Sequence, residues 1–179
     1  MRRVWVLCLV LSVSLSLSAR ENPIAAGFQV GYAMTGSVMD INLDLISVNL
    51  SLGIPLGYPQ VASLFTYDPD RTGYGVYTIS TDVSIWLPLS EELLIKVGIG
   101  SITMTDFGPR VTGVVGPVFK AEYWIWESNS ALVVTVMVPM MRYEKISHWN
   151  GATTREMRSI PGLSEDWLLT SSIGLLYGY

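Results

Sequence analysis

Hydrophobic residues recur at every second position through most of the chain, the spacing of β-strands with two unlike faces. Phe28, Val30, Tyr32 and Met34 alternate with Gly27, Gln29, Gly31 and Ala33, and Thr35-Gly36-Ser37 reads as a turn. Met39, Ile41, Leu43 and Leu45 then alternate with Asp40, Asn42 and Asp44. The phase slips at Leu45/Ile46, as a β-bulge would make it, and Ile46, Val48, Leu50, Leu52 and Ile54 continue the run. A connection rich in Gly, Pro and Asp covers residues 55–72. Beyond it, Tyr77, Ile79, Val83, Ile85 and Leu87 oppose Thr78, Ser80, Asp82 and Ser84. Leu93, Ile95, Val97 and Ile99 oppose Leu94, Lys96, Gly98 and Gly100. A long run over residues 110–126 sets Val115, Phe119, Tyr123 and Ile125 against Thr112, Gly116, Lys120 and Glu122. Residues 131–143 are apolar on both faces, and residues 144–166 form a long polar connection. The last run, residues 167–179, sets Leu169, Ile173, Leu175, Tyr177 and Tyr179 against Thr170, Ser172, Gly174 and Gly178. Helical spacing is confined to one short turn at residues 90–94.

The N-terminus follows a different rule. Residues 1–19 open with Arg2 and Arg3, run through an apolar stretch from Val4 to Leu11, and end in small residues at Ser18 and Ala19. That layout is a secretory signal peptide. Cys8 lies inside the apolar stretch, so the exported chain from residue 20 onward holds no cysteine. No later stretch reaches the roughly 20 apolar residues that a spanning helix needs; the most apolar, residues 131–141, is interrupted by Thr135 and Pro139.

Composition sharpens the picture. The 179 residues are 50% hydrophobic and 15% charged, with a mean hydropathy of +0.40. A soluble domain carries about 25% charged residues. The net charge of −4 and pI near 4.9 exclude a nucleic-acid partner, which needs a basic face. Exported, hydrophobic and without a spanning helix, the chain is either a transmembrane β-barrel or a soluble β-protein, because only helices and closed barrels satisfy the backbone in lipid.

Alternation alone does not say which face is wet. The polar face here is built of Gly, Ser, Thr and Asn with few charges, which suits a narrow lumen better than a solvated surface. Aromatic residues collect near strand ends, at Tyr74, Tyr77, Trp86, Tyr123, Trp124, Trp126, Tyr143 and Trp167. Amphipathic rings favour the membrane–water boundary. The chain ends inside a strand, Ile173-Gly174-Leu175-Leu176-Tyr177-Gly178-Tyr179.

That ending resembles the terminal strand of bacterial outer-membrane β-barrel proteins. The signal peptide, size and long polar loops resemble the small OmpA/OmpX-type members. The resemblance implies a single barrel domain over residues 20–179, an all-β fold that closes as an antiparallel up-and-down transmembrane barrel of about eight strands, and location in the bacterial outer membrane. It also implies that Ile173, Leu175, Tyr177 and Tyr179 form a C-terminal assembly signal read by the barrel assembly machinery. Seven runs are clear, whereas single-chain bacterial barrels have an even number of strands. The eighth strand lies either in residues 152–160 or in a split of the run over residues 38–54, which lacks obvious turn residues.

The candidate lumen charges are Asp40, Asp44, Asp82, Lys96, Lys120 and Glu122. In a narrow barrel filled by side chains they must pair, because unpaired buried charges are costly. The expectation is a structural salt-bridge network that plugs the lumen; the alternative is a small carboxylate-lined pore. Tyr74, Trp86, Tyr123, Trp126, Tyr143 and Trp167 are the expected interface aromatics. Barrels of the resembled class include lipid A deacylases and acyltransferases, but His148 stands in Ser147-His148-Trp149-Asn150 with no carboxylate to orient it. No catalytic residue, metal or cofactor is expected. Arg155 and Arg158 are candidates for contacts to lipopolysaccharide phosphates, since Arg binds phosphate bidentately. The readings are a structural or surface-interaction barrel embedded in outer-membrane lipid, a small pore, and a soluble exported lipocalin-like lipid binder.

Overall fold

In the computed structural model, which describes residues 23–65, 75–147 and 151–178, the alternating runs become antiparallel strands. They are β1 (Ile24–Gly31), β2 (Thr35–Leu43), β3 (Ile46–Ile54), β4 (Tyr77–Pro88), β5 (Leu93–Thr105), β6 (Arg110–Ile125) and β7 (Ser130–Met137), each paired with the next. The last strand, β10 (Ser172–Gly178), pairs with β7 on one side and β1 on the other. The ring is a closed antiparallel barrel of eight strands. Residues 1–19, read as a signal peptide, lie outside the described residues.

The eighth strand comes from splitting the run over residues 38–54. Asp44 takes a left-handed conformation (φ 47°) and turns β2 into β3 with Leu45, a conformation that Asp tolerates better than most residues. The expected bulge at Leu45/Ile46 is therefore a hairpin turn. With it in place, residues 44–45, 89–92 and 126–129 make tight turns at one rim, and the connections that leave β1, β3, β5 and β7 start from the other. All the long connections thus share one rim.

Residues 152–160 do hold a strand, but not a barrel strand. β8 (Met141–Ser147) continues β7 along β6 beyond a bulge. Val118 faces Met137 and Val115 faces Met141, so three residues of one strand oppose two of the other. Pro117 and Pro139 both sit there, where a missing N–H is tolerated. β9 (Thr153–Ser159) pairs with β8 alone among the described strands, so the β8–β9 hairpin stands beyond the long-loop rim.

Register accumulates round the ring. Gly31, at one end of β1, pairs with Ser172, which pairs with Thr135, then Lys120, Lys96 and Trp86 at the far end of β4. This stagger is what closure requires, with strands tilted typically 35–45° to the axis.

Two further elements depart from expectation. The 55–72 connection contains a helix, α1 (Tyr58–Phe65), whose Tyr58, Val61, Ala62 and Phe65 are buried at helical spacing. It fills the long-loop mouth of the barrel, and Thr112 Oγ1 donates to the Phe65 carbonyl at its C-terminus (2.6 Å). The last strand starts at Ser172 rather than Trp167, because Leu163–Leu168 is a 3-10 helix. No helix among the described residues is long and apolar enough to cross a membrane.

Candidate functional site

The barrel is inverted relative to a soluble protein. Lys96 is fully buried, whereas Ile99 on the same strand is 68% exposed. Phe28, Leu52, Val83, Ile85 and Leu175 are likewise exposed, while Asp40, Ser47, Asn49, Asp82, Lys120 and Glu122 are buried. A polar interior wrapped in an apolar band is the sidedness of a membrane barrel.

The interior is layered. Towards the short-turn rim, Val38, Trp86, Leu94, Trp124, Val133 and Leu176 form one apolar cluster. Towards the long-loop rim, α1 packs with Ile102, Met104, Val114, Val118 and Met137 in another. Between them lies a charged belt.

Lys96 and Lys120 are direct cross-strand partners, a repulsive arrangement unless carboxylates intervene. They do. Lys96 Nζ reaches Glu122 Oε1 at 2.6 Å and makes a short contact with Asp40 Oδ2. It also donates to Ser47 Oγ (3.0 Å). Lys120 Nζ pairs with Asp82 Oδ2 at 2.6 Å. Three carboxylates share two ammonium groups, and neutral donors supply the balance. Asp40 accepts from Ser47 Oγ (2.8 Å) and Asn42 Nδ2 (3.2 Å), and Glu122 accepts from Trp124 Nε1 (3.2 Å). Asp82 Oδ1 has no hydrogen-bond partner among the described residues. It borders a void of about 20 Å³, large enough for one water molecule. A second void beside Lys120 and Glu122 measures about 10 Å³.

Five of the six expected lumen charges therefore meet in one belt. Asp44 does not: it is exposed in the β2–β3 turn, where the chain reverses and alternation no longer applies. Trp124, grouped in the sequence with the strand-end aromatics, is instead fully buried inside, where its indole N–H serves Glu122; Ser47, which bridges Asp40 and Lys96, was not singled out. Their signal was their inward phase beside those charges.

The aromatic expectations divide. Tyr123 is exposed on the outer face near the short-turn rim, and Trp167 is exposed at the long-loop rim. Tyr143 lies across Gly113 on the barrel wall, where a Cβ would strike its ring, and its hydroxyl bonds Thr103 Oγ1. Trp86 is a correction: it is 5% exposed and points inward with Ser84, completing the lower apolar cluster. Trp126 falls in a 3-10 helix, Trp126–Ser128. Tyr74, Tyr179 and His148 lie outside the described residues. Ile173, Leu175 and Tyr177 face outward on β10. Among the described residues no cluster of His, Cys, Asp and Glu is placed to hold a metal.

No protein-family model and no curated protein sequence matches the chain. Among solved structures, it is similar to a major outer membrane protein from Thermus thermophilus. The match has 13% identity and a TM-score of 0.39, and covers 89% of this chain and 100% of that one.

Proposed function

We propose that the chain is an integral outer-membrane β-barrel, exported by residues 1–19, whose lumen is closed by its own side chains. Its role is structural or surface-interacting, carried by the long-loop rim. The observation that carries the reading is the inverted sidedness, with Lys96 buried and Ile99 exposed on one strand. The apolar clusters on either side of the charged belt favour a closed lumen over the pore. The exposed loops and the β8–β9 hairpin are then the surfaces left to meet other molecules. No catalysis, cofactor or nucleic acid enters this reading. In biogenesis, the outward residues Ile173, Leu175 and Tyr177, with Tyr179, serve as the signal for the barrel assembly machinery.

Fractionation tests location: the protein should sediment with outer membranes, need detergent for extraction, and migrate differently on SDS gels before and after heating. A mature chain that stays soluble without detergent would overturn the membrane reading and favour the lipocalin-like one. Planar-bilayer recording tests the lumen. The closed reading expects no single-channel steps from purified protein, and reproducible steps would establish the pore instead.

A further inference from the structure

The β8–β9 hairpin has an unusual register. Arg142 faces Arg158, Glu144 faces Glu156, and Lys145 faces Arg155. Like charges directly opposite destabilise a strand pair, so each rung needs a counter-charge. On the inward face two ion pairs provide it in part, and Arg142 there instead donates from Nη2 to the Ser63 carbonyl (3.5 Å). Arg110 Nη2 on β6 pairs with Glu144 Oε1 at 2.5 Å, and Arg158 Nη2 with Glu156 Oε2 at 3.3 Å. Alternation puts Lys145 and Arg155 on the other face, and neither has an ion-pair partner among the described residues. It also separates Arg155 from Arg158, which the sequence had suggested as a pair.

The face carrying Lys145 and Arg155 is the outward one. Tyr143, two residues earlier on the same face, lies on the barrel wall over Gly113 and is opposite Met157. Moving away from the barrel, β8 presents Met141, Tyr143 and Lys145 in turn. That is an apolar residue, an interfacial aromatic and a cation, about 7 Å apart at strand spacing. Interfacial aromatics mark the boundary of the hydrocarbon, and the polar layer beyond it is about 5–8 Å thick in each leaflet. Lys145 and Arg155 thus stand at the depth of lipid phosphates.

We propose that Lys145 and Arg155 form a binding site for the phosphate of an outer-leaflet lipid, whose acyl region lies against Tyr143 and Met157. The site rests on the outer-membrane reading above. A phosphomonoester carries enough negative charge to answer both cations. Arg155 offers paired N–H donors and Lys145 a point charge.

The test is native mass spectrometry of the full mature protein in detergent, titrated with phosphatidic acid or with phosphatidylcholine. Wild type should retain one phosphatidic acid in clear preference to phosphatidylcholine. Lys145→Gln/Arg155→Gln should weaken phosphatidic acid retention about 30-fold, from two surface cations. Arg158→Gln, on the opposite face, should leave it unchanged. The heat-dependent gel shift of each variant checks folding, and the single variants, each about five-fold weaker, read the same effect should the double variant not fold. Equal retention by wild type and the charge variants would overturn the site, as would an equal loss in Arg158→Gln. Displacement of phosphatidic acid by millimolar inorganic phosphate would assign the site to free phosphate and overturn the lipid. A chain soluble without detergent would sink the outer-membrane reading itself; a detergent-dependent barrel with charge-independent retention would sink this site alone.

Discussion

Replacing Lys96 by methionine keeps most of the side-chain volume and removes the cation shared by Asp40 and Glu122. At 2.6 Å, the attraction between Lys96 and Glu122 is about 6 kcal/mol at an effective dielectric constant of 20. The Asp40 contact is at least as close, so the gross loss is about 12 kcal/mol. Part of that gain only offsets the desolvation of Lys96, several kcal/mol per ion, and the variant no longer bears it. The two carboxylates stay buried, repelling each other with only Ser47, Asn42 and Trp124 as donors. Relaxation and water entry limit the damage, so the expected loss is about 3–5 kcal/mol, the range for breaking a buried pair. That is a large fraction of a typical stability of about 5–15 kcal/mol. The assay is urea unfolding in lipid vesicles, read by tryptophan fluorescence and by the heat-dependent gel shift. Lys96→Met/Asp40→Asn/Glu122→Gln should recover most of the loss, because a neutral replacement of a buried charge cluster is often close to isoenergetic. A Lys96→Met protein as stable as wild type, or a triple variant worse than the single one, would refute the idea that the carboxylates depend on Lys96.

Three other outcomes follow from the same geometry. Ile99→Lys places a charge near the middle of the outward face of β5 and should cost about 2–4 kcal/mol in vesicles, measured against Leu89→Lys in the short β4–β5 turn, which should cost little; equal effects would mean that Ile99 does not face lipid. Asp44→Val should cost about 1–2 kcal/mol because a β-branched residue resists the left-handed turn, whereas Asp44→Asn should be close to neutral in the same urea titration. Trp124→Ala removes a fully buried indole from the lower apolar cluster and should cost about 3–5 kcal/mol, again checked by unfolding midpoint.

Strand period was the strongest guide in the sequence, and it erred where other rules displaced it. It placed Asp40, Asp82, Lys96, Lys120 and Glu122 inward, and they meet there. It also put Trp86 in phase with Ser84, but the general preference of tryptophan for membrane interfaces suggested the outside, and here the period was right. Asp44 shares the phase of Asp40, yet an Asp that can adopt positive φ is also a turn residue, and pattern alone does not choose between the two. α1 was missed: Tyr58, Val61, Ala62 and Phe65 fall at helical spacing, but over eight residues in a Pro- and Gly-rich stretch they read as an irregular connection. β9 was hidden because its residues are exposed on both faces, so no alternation marks it. The pairing of Lys96 with Ser47 and Asp40 depends on strand neighbours distant in sequence, which no local pattern encodes.

The layering of the interior separates two demands on the chain. An ion crossing the barrel would have to pass the Trp86–Trp124 cluster, the charged belt and α1 in turn, and the voids beside the belt are of water size or smaller. On the closed-lumen reading proposed above, small changes in the belt should therefore alter stability before they create a path. The β8–β9 hairpin lies beyond the rim, away from both apolar clusters; its inward face carries two ion pairs, and Lys145 and Arg155 on its outward face have none among the described residues. Sites that share no partners contribute nearly additively to stability. Substitutions in the belt should then shift unfolding without changing lipid retention, and substitutions at Lys145 and Arg155 should do the reverse. That double dissociation is what a barrel with a structural lumen and an interacting rim requires. A pore would instead couple lumen charge to its activity.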